Sequence, residues 1–142
     1  MNSADPVQDP SRPIARPAGL DVEFVADDLY TLRAAVNAHA AEFGLAEAGL
    51  SRLLVVATEL ATNAIRHGGG AGRLRLWRAD GAIYCQVSDA GSGIADPVRA
   101  GTELVPLSEH GGRGLWVVRQ FTDGFDITDG RPGAIVTVKI TI

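Results

Sequence analysis

The sequence predicts an α+β domain: a two-layer sandwich with helices on one face of a mixed, mostly antiparallel sheet. Three observations predict it. Several segments place apolar residues at every second position, the pattern of strands in a sheet covered on one face rather than a doubly wound parallel sheet. A long stretch near residues 46–67 repeats apolar residues at three- and four-residue steps, which is the period of a helix. The elements follow one another as strand, helix, helix, strand, strand, long loop, helix, strand, strand, an order that packs as two layers.

Each element has its own justification. Leu20, Val22 and Phe24 alternate with Asp21 and Glu23, a short strand. Asp27-Asp28 offers a helix cap, and residues 29–43 follow without proline or glycine until Gly44 stops the helix. In the second helix Leu50, Leu53, Leu54, Ala57, Ala61 and Ala64 form the apolar stripe, and Gly68-Gly69-Gly70 ends it. Leu74 and Leu76 alternate with Arg73, Arg75 and Trp77; Ile83, Cys85 and Val87 alternate with Tyr84, Gln86 and Ser88. Ala79-Asp80-Gly81 between these runs suggests a hairpin. A short helix is expected over about 112–121 and a strand near 125–128, with Gly130-Arg131-Pro132-Gly133 as the turn into a last strand carrying Val136, Val138 and Ile140. The 90–110 stretch is irregular, and a connection of that length in a small domain usually serves as a lid or binding loop.

The bulk properties bound the function. At 142 residues and 46% apolar, the chain has the size of one domain with a full core. Residues 1–18 hold four of the seven prolines, Pro6, Pro10, Pro13 and Pro17, so a flexible leader is expected ahead of a folded domain over 19–142. A net charge of −4 argues against a protein that coats nucleic acid. Cys85 is the single cysteine, so no internal disulfide forms, and His39, His67 and His110 with it show no zinc spacing. No apolar run approaches the roughly 20 residues of a membrane span, and the N-terminus lacks a secretory profile. A cytoplasmic location with no membrane association is the expectation.

Three pieces carry chemistry. In Glu59-Leu-Ala-Thr-Asn63-Ala-Ile-Arg66-His67, residues four apart project from one edge of a helix, so Glu59 stands beside Asn63. One amide oxygen together with phosphate oxygens and water satisfies Mg²⁺, and a carboxylate one turn away can take a proton from a hydroxyl attacking phosphorus. The same two residues also suit a solvated helix face. Asp89-Ala-Gly91-Ser-Gly93 follows directly on a strand. A carboxylate there can accept a hydrogen bond from the exocyclic amine of adenine, and the glycines allow close approach or positive φ; an ordinary Asp-Gly turn reads alike. Gly111-Gly112-Arg113-Gly114-Leu115 runs into an apolar helix, whose free N–H groups and positive dipole end favour an anion. No lysine followed by serine or threonine succeeds these glycines, so the loop is not a P-loop.

Together, in this order and spacing, the three pieces resemble the GHKL superfamily of DNA gyrase, the ninety-kilodalton chaperone, sensor histidine kinases and MutL-type repair proteins. Glu59 and Asn63 match its N box, Asp89 to Gly93 its first glycine box, and Gly112-Arg113-Gly114-Leu115 its second. The resemblance covers about residues 20–142 and implies a Bergerat-type ATP-binding fold. It implies ATP and Mg²⁺ as cofactors, with Asn63 on the metal and Asp89 on the adenine amine. Gly91, Gly93, Gly112, Arg113, Gly114 and Leu115 would hold the phosphates beneath a 94–110 lid.

The wording ELATNAIRHG and GGRGLWVV is most similar to the bacterial anti-sigma-factor serine kinases. That resemblance implies Glu59 as the base toward a serine hydroxyl of an anti-anti-sigma partner, with a sigma factor as a further partner. This chain departs where many relatives have Gly-Thr, since Gly133-Ala134 stands there, so no phosphate role passes to a threonine. Two readings follow: a protein-serine kinase, or a catalytically weak, nucleotide-gated partner-binding module. A scaffold without nucleotide binding sits poorly with three intact boxes. No direct nucleic-acid contact is expected, and the alternating strands leave edges open to a homodimer.

Overall fold

The computed structural model describes residues 19–91, 112–128 and 133–142. In chain order the elements are β1 (Leu20–Val25), α1 (Leu29–Glu42), α2 (Glu47–His67), β2 (Ala71–Ala79), β3 (Ala82–Ser88), α3 (Gly112–Gln120), β4 (Gly124–Thr128) and β5 (Ile135–Thr141). The expected leader over 1–18 and most of the expected lid lie outside the described residues, as does most of the Gly130–Gly133 turn.

The five strands form one sheet in the order β1-β2-β3-β5-β4. A mixed, mostly antiparallel sheet was expected; all four described pairings are antiparallel. The strands β2 and β3 meet at Ala79↔Ala82, leaving Asp80-Gly81 as a two-residue loop. Both loop residues have positive φ, 53° and 76°, as a type I′ hairpin requires and as Asp-Gly supplies.

One face of the sheet is the core. Leu74, Leu76, Ile83, Cys85, Val87, Val136, Val138 and Ile140 bury there with Phe24 of β1, each at the alternate position that the sequence reserves for apolar residues. Against them lie Leu32, Val36 and Ala40 of α1 and Leu53, Val56, Ala57, Leu60, Ala61 and Ala64 of α2. Leu115 and Val118 of α3 join the same core.

The opposite face is polar. One register row crosses all five strands as Asp21, Arg75, Gln86, Thr137 and Asp126. Arg75 Nη1 donates to Gln86 Oε1 at 2.8 Å, and Gln86 Nε2 donates to Thr137 Oγ1 at 3.0 Å. Beside this row Trp77 stacks on Tyr84 with ring centroids 5.5 Å apart. At the β1 edge Arg73 binds Asp21 through two hydrogen bonds of 2.7 and 2.8 Å. That pairing holds the Asp21 carboxyl below its ordinary value. A slip of one residue would send Arg75 and Gln86 into the core, so this row and the apolar face specify the same register.

The helix ends differ in construction. At the end of α1, Gly44 takes φ 97° while its N–H donates to Ala41 and that of Leu45 to Ala40, a Schellman turn. At its start the Asp28 carboxyl, expected as a cap, instead accepts the N–H of Val25 at 2.9 Å. A 3-10 turn occupies Ala26–Asp28, so Asp28 is that turn's third residue and reaches back across it.

Candidate functional site

The end of α2, the end of β3 and the residues just before β5 converge at one end of the sheet, and α3 packs on α2. Arg52, Glu59 and Asn63 are separated by seven and four residues, which places them within an arc of about 40° on α2. Arg52 identifies what that arc faces, because its Nη1 donates to the carbonyl of Phe121, just past α3, at 3.3 Å. The C-terminal end of α3 therefore sits beside the first half of α2. The two helices are packed together, and Glu59 and Asn63 stand in the second half of α2. Both are half-buried, and among the described residues no side-chain hydrogen bond engages either of them.

Asp89 is held on several sides. Its N–H donates to the carbonyl of Ala134 at 3.1 Å, which ties the end of β3 to the chain just before β5. Its Oδ1 accepts the N–H of Gly91 at 2.8 Å, closing a small side-chain-to-backbone turn. Among the described residues Oδ2 has no hydrogen-bond partner. On the carbonyl side lies Gly133 with φ 97°, where an added Cβ would run into the Asp89 carbonyl oxygen and stand 2.7 Å from its carbon. On the side-chain side lies Gly68, at the end of α2. A Cβ there would overlap Cγ of Asp89 and stand 2.6 Å from both Asp89 Cβ and the Ala64 carbonyl oxygen.

Gly91 is small for a related reason. A Cβ on it would strike Cα of Gly68 and stand 2.6 Å from the carbonyl oxygen of His67. Of the two uses open to this glycine, close approach is the one realised, and the first thing approached is the protein's own helix end. Leu115 also divides its roles. Its side chain is 7% exposed and belongs to the core, so only its backbone is available to a ligand. The described structure of Gly112, Arg113 and Gly114 is that of the first turn of α3, whose leading N–H groups lack partners within the helix. Gly93, Gly111 and the 94–110 segment lie outside the described residues.

Sequence reasoning missed Gly68, Gly133 and Ala134 as parts of this cluster. Gly68 reads as a helix terminator, and nothing local indicates that residues 133 and 134 return to Asp89. For Gly68 the signal was the three consecutive glycines, since one suffices to end a helix. Among the residues set aside, His39 bonds through Nδ1 to the Ala35 carbonyl at 3.0 Å, within its own helix. Cys85 is fully buried, and its desolvated thiol is pushed up to about 12. An open depression bordered by Phe24, Gly72, Arg73, Ser88, Asp89 and Ala90 adjoins the cluster but includes no residue of α2.

A family model for the histidine kinase-like ATPase domain matches residues 22–140. The chain belongs to that family. No curated protein matches it significantly. Among solved structures it is similar to the RsbU and RsbW domains of Rv1364c from Mycobacterium tuberculosis, at 18% identity and a TM-score of 0.65. That alignment covers 87% of this chain but only 31% of the other. The SiaB-SiaC complex from Pseudomonas aeruginosa gives 11% identity and a TM-score of 0.61, covering 87% of this chain and 89% of the other. A mycobacterial sensor histidine kinase, MprB, gives 23% identity and a TM-score of 0.52, covering 65% and 71%. At such identities the likeness is one of fold.

The residues present fit the nucleotide such a domain binds. A half-buried carboxylate with one uncommitted oxygen suits an exocyclic amine. Asn63 offers a single neutral oxygen, which suits a hard cation that takes its other ligands from phosphate and water. Among the described residues no cluster of three or more His, Cys, Asp or Glu side chains could hold a metal by itself. No described helix is long and apolar enough to cross a membrane.

Proposed function

We propose that this protein is an ATP- and Mg²⁺-dependent protein-serine kinase of the anti-sigma-factor type, which phosphorylates an anti-anti-sigma partner and also holds a sigma factor. The observation that carries this reading is the order of groups along one helix. From Gly68, which touches Asp89, Asn63 lies about 7.5 Å back along α2 and Glu59 about 13.5 Å back, at 1.5 Å per residue. Base recognition, metal ligand and general base thus follow one another in the sequence that base, phosphates and acceptor hydroxyl require.

The bound Mg·ATP would supply the transferable phosphoryl group and the charge of the metal. Asp89 accepts the adenine amine through Oδ2 while Gly91 holds Oδ1. Asn63 contributes its side-chain oxygen to the metal. The first turn of α3, at Gly112, Arg113 and Gly114, would offer its N–H groups to the phosphates, and Gly93 would join them. Glu59 would accept the proton of the partner's serine hydroxyl as that oxygen bonds to the γ-phosphorus and the bond from that phosphorus to the β-phosphate breaks, releasing ADP. The similarity to a structure containing an RsbW domain, and to a SiaB-SiaC complex, supports a protein partner.

Incubation with γ-labelled ATP, Mg²⁺ and candidate anti-anti-sigma proteins tests the reading. Label should appear on a partner serine, fall at least a hundredfold with Glu59→Ala, and leave ATP affinity nearly unchanged in that variant. Asp89→Asn should abolish binding itself. Wild-type protein that binds ATP, loses it with Asp89→Asn and yet labels no partner would leave the nucleotide-gated binding module instead.

A further inference from the structure

We propose that Gly68 is a specificity-determining position: by carrying no side chain it lets the Asp89 carboxylate stand where an adenine amine can reach it, and so sets the choice between adenine and guanine. This rests on the reading of Asp89 as the adenine acceptor. Three adjacent glycines, Gly68, Gly69 and Gly70, do two different things. Gly69 and Gly70 take φ of 93° and 89°, and nothing lies within 4 Å of a Cβ added to either. They are glycines for backbone conformation, turning the chain from α2 into β2. Gly68 is the reverse. Its φ of −110° and ψ of 24° are open to any residue, but the space is already taken by Cβ and Cγ of Asp89.

The neighbours cannot give way. On the far side of Asp89 the carbonyl is packed on Gly133 and the N–H is bonded to Ala134, so the backbone of residue 89 cannot retreat toward β5. Gly68 in turn is bonded to Ala64 through its N–H at 2.8 Å and has Gly91 against its Cα. Rotation about χ1 of Asp89 moves its Cγ but leaves its Cβ and the Ala64 carbonyl oxygen each 2.6 Å from the added carbon. A methyl group at position 68 therefore turns the carboxylate and also strains the packing of the helix end on residue 89, which breaks the 2.8 Å bond to Gly91 N–H and re-aims both oxygens. Adenine and guanine differ at the six position by an amine against a carbonyl. A site whose carboxylate accepts from the amine rejects the carbonyl strongly, and one whose carboxylate has turned away does not.

The test is titration of ATP and GTP, each with Mg²⁺, into wild type, Gly68→Ala and Gly69→Ala. The wild type should favour ATP, Gly68→Ala should lower the ATP-to-GTP affinity ratio at least tenfold, and Gly69→Ala should keep the ratio within threefold even though its strained φ lowers its Tm. A ratio unchanged in Gly68→Ala, or lowered equally in Gly69→Ala, overturns the proposal. Should Gly68→Ala not fold, the pair Gly68→Ala/Asp89→Gly decides, because removing the Asp89 side chain removes both contacts with residue 89 and leaves only the one with the Ala64 carbonyl oxygen. Recovery of a cooperative unfolding transition supports the assignment, and no recovery overturns it. Wild-type protein that binds neither nucleotide would instead defeat the reading of Asp89, and the melting comparison of these variants would still decide whether residues 68 and 89 collide.

Discussion

Cys85 shows what the interior does to a single side chain. It lies in the central strand, fully buried among Leu76, Val138 and the helices, with its thiol raised from 9.0 to about 12 by desolvation alone. A thiol whose folded value exceeds its unfolded value holds its proton more tightly in the native state. Its contribution to stability is then intact below pH 9 and is lost as pH rises toward 12. Denaturant midpoints measured across that window should fall faster for wild type than for Cys85→Ala. The alanine variant starts lower because of its cavity, and the gap should narrow with rising pH. The same burial predicts that a thiol reagent labels Cys85 only at the rate of unfolding, which a stopped-flow comparison with and without denaturant would measure.

At the scale of elements, the hairpin between β2 and β3 depends on two residues in the left-handed region. Gly81, at φ 76° with nothing near its Cβ position, meets no clash on substitution but would hold an alanine in the left-handed region. Gly81→Ala should cost about 1 kcal/mol in urea unfolding, with the register of the sheet unchanged. That hairpin was legible in the sequence because Asp-Gly stands between two runs of period two. The α2 boundaries were legible too, since its apolar stripe persists for five turns and Gly68 follows. Signals that depend on tertiary contact were not. Asp28 reads as a cap for α1 but serves the preceding 3-10 turn, because turn and helix share the same local acidic signature. Glu59 and Asn63 could be placed together by helical spacing, yet nothing in the local pattern shows that Arg52, seven residues earlier, turns their face toward α3. Gly68 and Gly133 look like punctuation and are in fact the walls around Asp89, a role fixed by residues more than 20 positions away.

Across the whole molecule, the candidate site is assembled from α2, the end of β3, α3 and the turn into β5, while the sheet's other face takes no part. Ligand binding at such a junction should tie the elements together. Mg·ATP at a hundred times its Kd should stabilise the protein by about 2.7 kcal/mol, read as a rise in Tm that Asp89→Asn removes. The strand order adds a consequence for how the protein is made. The strand β5 is last in sequence but not at the edge, since it lies between β3 and β4, and it brings with it Gly133 and Ala134, which brace Asp89. A nascent chain that has not yet reached Gly133 therefore carries Glu59, Asn63 and Asp89 already synthesised but without the contacts that brace residue 89. Within this domain the candidate site is completed only once β5 has been made and pairs with β3.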